Sequence, residues 1–173
     1  MRTIARAAST AALGALAVSL LAVPGAPLVA GPAAPAVSLV AAATGPAQQM
    51  LGLVNAERKK AGCQPVRLDS RLSAAATKYS QAMSRNDFFS HTGSDGSTFV
   101  SRIENEGYPA PRSENIAAGS ATAQATMQQW MNSSSHRRNI LDCAAEDMGL
   151  GVASADDSRF GTYWTQEFGL GTD

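Results

Sequence analysis

Two cysteines, Cys63 and Cys143, stand 80 positions apart in a chain of 173 residues, and the sequence holds no others. A bond between them would force two distant segments to one point. Closing so long a loop would stabilise the fold by about 4 kcal/mol in the chain-entropy view, less any strain. The rival reading is a cysteine nucleophile or a thiolate metal ligand. Compartment decides between them, because disulfides persist outside the reducing cytosol.

The N-terminus speaks to compartment. Arg2 and Arg6 give a positive start, the run from Ala11 to Val23 is apolar and uncharged, and Pro24, Gly25 and Pro27 break it. Such a run has the length of a signal-peptide core and falls short of the roughly 20 apolar residues that span a bilayer. Extension through Val37 to Ala43 into a membrane anchor is opposed by prolines at 24, 27, 32 and 35. Residues 1–43 therefore read as a signal peptide and Ala/Pro leader, with small-residue cleavage sites at Ala34-Pro35-Ala36 and Ala41-Ala42-Ala43. No cysteine follows the apolar run to carry a lipid. The expectation is a secreted protein without a stable membrane span, in which residues 44–173 form one domain and Cys63 pairs with Cys143.

Without the leader, 12 basic and 14 acidic residues remain. That balance provides no electrostatic footprint for nucleic acid and no polybasic patch for a membrane surface.

Residues 48–61 have helical periodicity, with Met50, Leu51 and Val54 on one side and Gly62 as a stop. Asp69 is placed to cap a second helix, whose stripe of Leu72, Ala75, Ala76, Tyr79 and Met83 follows the spacing of a buried face. The stretch from Phe88 to Gly96 reads as a loop. Ser97 can cap a short helix through Ile103 that stops at Gly107. A turn at Pro109 and Pro111 leads into a loop and short strand near Glu114 to Gly119. Thr122 precedes a helix carrying Ala123, Met127, Trp130 and Met131 on one face, and Ser133 to Ser135 lead into a helical turn from His136 to Leu141. The period then changes to two. Met148, Leu150 and Val152 alternate with Gly149, Gly151 and Ala153, which leaves one face bare enough for another backbone to approach. Phe160 to Phe168 alternates as well, and Asp156 to Ser158 lie between the runs, so the pair predicts an antiparallel hairpin. Helices covering a small antiparallel sheet give a mixed α and β domain.

The chain has only two histidines, His91 and His136, both in polar, turn-rich settings. Each could serve as a metal ligand or general base, or simply make local hydrogen bonds. At a helix N-terminus, His136 would feel a field that favours the neutral ring. Glu114 can cap backbone or line a cavity. Glu167 is either a buried carboxylate needing a donor or ordinary surface. The chain has no G-x-S-x-G elbow, no H-E-x-x-H helix and no phosphate-binding glycine loop.

In order along the chain stand Leu53-Val54-Asn55-Ala56-Glu57-Arg58, Phe88-Phe89-Ser90-His91-Thr92, Asp95-Gly96-Ser97 with Arg102 and Gly107-Tyr108, and Glu114-Asn115-Ile116-Ala117. Then come Trp130-Met131-Asn132-Ser133, His136-Arg137-Arg138-Asn139-Ile140-Leu141, Gly149-Leu150-Gly151-Val152, and Tyr163-Trp164-Thr165-Gln166-Glu167-Phe168-Gly169. Together these resemble the CAP superfamily (cysteine-rich secretory proteins, antigen 5 and pathogenesis-related 1), also called the SCP domain, in its short secreted bacterial form. The resemblance covers residues 48–169.

It implies an α+β fold, a three-layer α-β-α sandwich around a small antiparallel sheet. It also implies a cleft lined by two histidines and two acids, where the histidines can hold Zn2+ or another divalent metal. By motif the histidines are His91 and His136, and the first acid is Glu114. The position of the second acid holds Ser133, with Glu167 as a candidate substitute. Asn55, Arg58, Asn115, Trp130 and Asn139 match framework positions. Relatives are linked to lipid or sterol binding, defence, the cell wall and host interaction, with no shared reaction. The function implied is a non-enzymatic, monomeric extracellular module whose cleft takes a metal, a small ligand, a lipid or a cell-wall component. One alternative is a secreted hydrolase or peptidase using His136 or His91 with Glu114. The other is a structural or adhesive wall protein.

Overall fold

Proline at the first turn and three basic residues in the last suit the two ends of α1 (Pro46–Lys60). The computed structural model describes residues 45–172, so the leader assigned to 1–43 lies outside the described residues. Met50 and Val54 of α1 are buried, Leu51 is half-buried, and the chain turns off at Gly62 with φ of 79°.

A two-residue strand β1 (Arg67–Leu68) precedes α2 (Ser70–Arg85). Asp69 caps α2 as its position predicts, accepting from the amides of Arg71 at 2.7 Å and Leu72 at 3.2 Å. The predicted stripe, Leu72 through Met83, is buried.

The next helix, α3 (Phe99–Asn105), is capped by Thr98 rather than Ser97. Thr98 and Ser101 exchange reciprocal side-chain to amide bonds at 3.2 and 3.0 Å. Ser97 is committed elsewhere. Its amide is held by Asp95 at 2.9 Å, and its carbonyl accepts from Arg102 at 2.9 Å.

The stretch from Glu114, expected as a loop running into a short strand, instead belongs to an eight-residue strand, β2 (Pro111–Ala118). Proline is tolerated at a strand's first residue, so the turn chemistry there starts the strand instead of delaying it. Helix α4 (Ala123–Asn132) is capped by Thr122, α5 (Ser134–Ile140) follows directly, and β3 (Asp147–Ser154) and β4 (Thr162–Gly169) form the predicted hairpin.

The strands lie in the order β1-β3-β4-β2. The sheet is mixed rather than wholly antiparallel, because β1 runs parallel to β3 while the other pairs are antiparallel. Helices α2 and α3 cover one face, and α1, α4 and α5 pack on the other side. The bare face of β3 is where α2 docks. A Cβ on Gly149 or Gly151 would come within 2.2 Å of the α2 backbone at Leu72 or Ala76.

Behind the other face sits the largest apolar cluster, which includes Met50, Val54, Met127, Trp130, Ile140, Met148, Leu150 and Phe168. The Trp130 indole donates to the Ile116 carbonyl at 3.1 Å, so this large ring carries no unsatisfied donor.

Cys63 and Cys143 are bonded, with Cα atoms 4.9 Å apart. Beside them Arg58 is fully buried and donates to the carbonyls of Gln64, Ile140, Asp142 and Ala145 at 2.7–2.9 Å. Asn55 bonds both backbone groups of Val66 at 2.9 Å. Both act as the framework anchors their motif implied, fixing irregular backbone that no helix or strand satisfies.

Candidate functional site

Antiparallel register does the first piece of positioning. Glu114 on β2 stands directly opposite Glu167 on β4, after a one-residue irregularity between Pro111 and Ser113. Cross-strand partners project to the same face, here the face under α2. Both carboxyls are buried, although strand alternation alone leaves either one free to face solvent.

Three elements then converge on Glu114. From the loop after α2, His91 brings Nδ1 to 2.7 Å from Oε1. From α3, Arg102 donates to Oε2 at 2.6 Å, and the Glu114 side chain is only 1% exposed. From α5, the Asn139 amide donates to the Glu114 backbone carbonyl at 3.1 Å and to Asn115 Oδ1 at 2.8 Å. Asn115 in turn donates to the His136 carbonyl at 3.3 Å and to Gln166 at 3.0 Å. Asn115 and Asn139 thus fasten α5, and His136 with it, to β2.

A carboxylate oxygen accepts, so the His91 Nδ1 bonded to Glu114 carries the hydrogen. The His91 side chain is 56% exposed. His136 differs. Its Nδ1 is buried and has no hydrogen-bond partner. Burial pushes its imidazole below the ordinary histidine range, and charge on His91 adds to the effect. Burial, not the helix end that the sequence suggests, is the leading cause of this lowering.

Arg102 is legible in the sequence only as one motif position. In the structure its side chain is 10% exposed and ties the site together. It donates to the carbonyls of His91 at 3.1 Å and Ser97 at 2.9 Å, and its guanidinium lies 3.3 Å from the centre of the Tyr79 ring. Tyr79 is itself anchored, donating to the Ser90 carbonyl at 2.5 Å, and burial pushes its hydroxyl up to about 12, so it stays a neutral donor. Arg102 and Tyr79 also line a cavity of about 330 Å³ between α2, the 88–97 loop and α3.

Ser133 is the sequence candidate the structure does not draw in. It caps α5 by position, and its hydroxyl faces Ser135 Oγ at 3.1 Å instead of the Glu114–His91 pair. The acid beside Glu114 is Glu167. Among the described residues no group of three or more His, Cys, Asp and Glu side chains is arranged to hold a metal ion.

The fold is layered, with helices on both sides of the sheet, and its buried Glu114 is paired with His91 and Arg102. The cysteine-rich secretory protein family matches residues 51–168, and the chain belongs to that family. The uncharacterised protein YkwD of Bacillus subtilis (strain 168) is 33% identical over 122 residues, 70% of this chain and 46% of its own length. YlbC, an uncharacterised membrane protein of the same organism, is 31% identical over 123 residues, 70% of this chain and 33% of its own. The chain spans less than half the length of these curated relatives.

Among solved structures, an extracellular SCP-domain protein from Bacillus anthracis is similar with a TM-score of 0.62 at 29% identity, over 72% of this chain and 40% of that one. An outer surface protein from Borrelia burgdorferi shares the fold with a TM-score of 0.64 at 20% identity, over 72% of this chain and 92% of its own. Among the described residues no helix is long and apolar enough to cross a membrane.

Proposed function

We propose that this chain is an exported binding module, and that the mouth between His91 and His136 receives the polar group of an extracellular small molecule, lipid or cell-wall component. The observation that carries this reading is the division of labour at Glu114. Both its oxygens are engaged, by His91 and Arg102, so it serves to orient an imidazole. A carboxylate behind an imidazole fixes which ring nitrogen faces a ligand or metal.

The donor set bears on zinc. Two imidazoles supply half of a tetrahedral shell, and the rest would be water or oxygens of the bound ligand. His91 and His136 would therefore hold an exchangeable divalent ion that polarises a ligand oxygen, rather than a structural zinc. Export rests on the leader and on the disulfide, which suits an oxidising compartment. The module is taken to act as a monomer.

Calorimetric titration with Zn2+ tests the reading. Weak binding that disappears in His91→Ala and in His136→Ala supports it. Unchanged affinity in both variants removes the cleft from the account.

One observation favours the hydrolase alternative, namely that His91 and Glu114 are arranged like a general base and its orienting acid. The Ser90 hydroxyl, next to His91 in sequence, accepts the Thr92 amide at 3.1 Å. Turnover of a peptide or ester that is lost in His91→Ala would establish that alternative.

A further inference from the structure

Glu167 lies in register between Gly149 on β3 and Glu114 on β2. It is fully buried, and neither of its oxygens meets a hydrogen-bond donor. The elements packed around it do not supply one. From β3 nothing reaches it, because Gly149 has no side chain and α2 backbone fills the space a Cβ would need. From α2 comes Tyr79, whose hydroxyl is spent on the Ser90 carbonyl. From α3 comes Arg102, whose two terminal nitrogens are spent on Glu114 and on the carbonyls of His91 and Ser97. The third guanidinium nitrogen, Nε, is buried and makes no hydrogen bond to Glu167 or to any other group. From β2 comes Glu114 itself, already accepting from Arg102 and bonded to His91.

Two ionised carboxylates cannot share this place. A buried carboxylate without a donor keeps none of the hydration it has lost, and its neighbour's charge makes matters worse. One proton resolves both problems, turning a contact between two acceptors into a hydrogen bond. The proton belongs on Glu167, because Glu114 has cationic and imidazole partners and Glu167 has none. Burial, and then the Glu114 charge, push the Glu167 carboxyl well above the ordinary range, outweighing the opposite pull of Arg102.

We propose that Glu167 is a neutral carboxylic acid in the folded protein and donates a hydrogen bond to Glu114, making it a positioning residue of the His91–Glu114 site. The floor of the cleft then carries one carboxylate balanced by one guanidinium. This assignment stands independently of what the cleft binds, so failure of the zinc titration would leave it intact.

The proton makes folding pH-dependent in a definite direction. The unfolded chain releases it at about pH 4.3, while the folded protein retains it to higher pH. Between those limits folding takes up a proton, so stability falls as pH rises and levels off above the folded value. Glutamine copies the neutral donor without needing a proton. Thermal and denaturant unfolding of the full chain and of Glu167→Gln between pH 5 and 8 should therefore diverge. The variant gains up to about tenfold in relative folding constant per pH unit.

Infrared spectra of the wild type at pH 7 should show the carbonyl stretch of a protonated carboxylic acid, absent from Glu167→Gln. Parallel pH profiles, or a band that survives the substitution, would overturn the proposal. Should Glu167→Gln fail to fold, carboxyl-carbon NMR of the wild type decides. A protonated Glu167 signal at pH 7 supports the assignment, and an ionised one refutes it.

Discussion

The two faces of the sheet are stabilised by different physics. Under α1, α4 and α5 the interior is a continuous apolar cluster centred on bulky residues such as Trp130, Met50 and Phe168. Under α2 and α3 the strands present glycine, threonine and two glutamates, and helix backbone sits almost in contact with strand backbone. The first face draws its stability from area removed from water. The second depends on close backbone approach and on a network of buried polar groups around Glu114. The site lies on the second, where geometry is tightly determined and a change in one charge is felt by several partners.

Substitutions should separate the two. Trp130→Ala empties the largest buried side chain and is expected to cost about 4 kcal/mol in denaturant unfolding. That loss should be nearly independent of pH. Arg102→Met is expected to cost about 3 kcal/mol at neutral pH, because it strands a buried carboxylate. Its deficit should shrink on acidification, since a protonated carboxyl needs no cation. A deficit of equal size at pH 5 and pH 7.5 would break the distinction between the faces. Gly149→Ala should cost about 2 kcal/mol through overpacking against Leu72 and Ser73, while leaving the pH profile of the wild type in place.

Much of the helical framework is legible in the sequence. The cap at Asp69, the helix after Thr122, the stripe on α2 and the alternation on β3 each follow from local spacing, and the structure carries them through. The glycine face of β3 also announces that a backbone approaches it. The polar face is harder to read. Strand β4 is buried on both sides, so Thr165, Gln166 and Glu167 break the rule that alternating polarity marks an exposed face. Whether Glu167 meets Glu114 depends on a register set by a shift near Arg112, which no local pattern reports. Arg102 sits on a seven-residue helix where an arginine would ordinarily be solvated, and only the three-dimensional approach of His91, Tyr79 and Glu114 turns it inward. The motif position of Ser133 implies a place in the cleft, yet its hydroxyl turns to Ser135 at the junction of two helices.

The smallest effect addresses the account most directly, because everything about the site assumes that the two imidazoles are neighbours. NMR titration of the His136 ring in the wild type should give a midpoint below the ordinary value of about 6.5, set first by burial and then by His91. Folded His136 then resists protonation more than the unfolded chain does. Its contribution to stability is present above about pH 6.5 and is lost as pH falls through the folded midpoint. In His91→Asn the His136 midpoint should rise, because the neighbouring charge is gone. A His136 midpoint that does not move in His91→Asn would contradict the shared cleft.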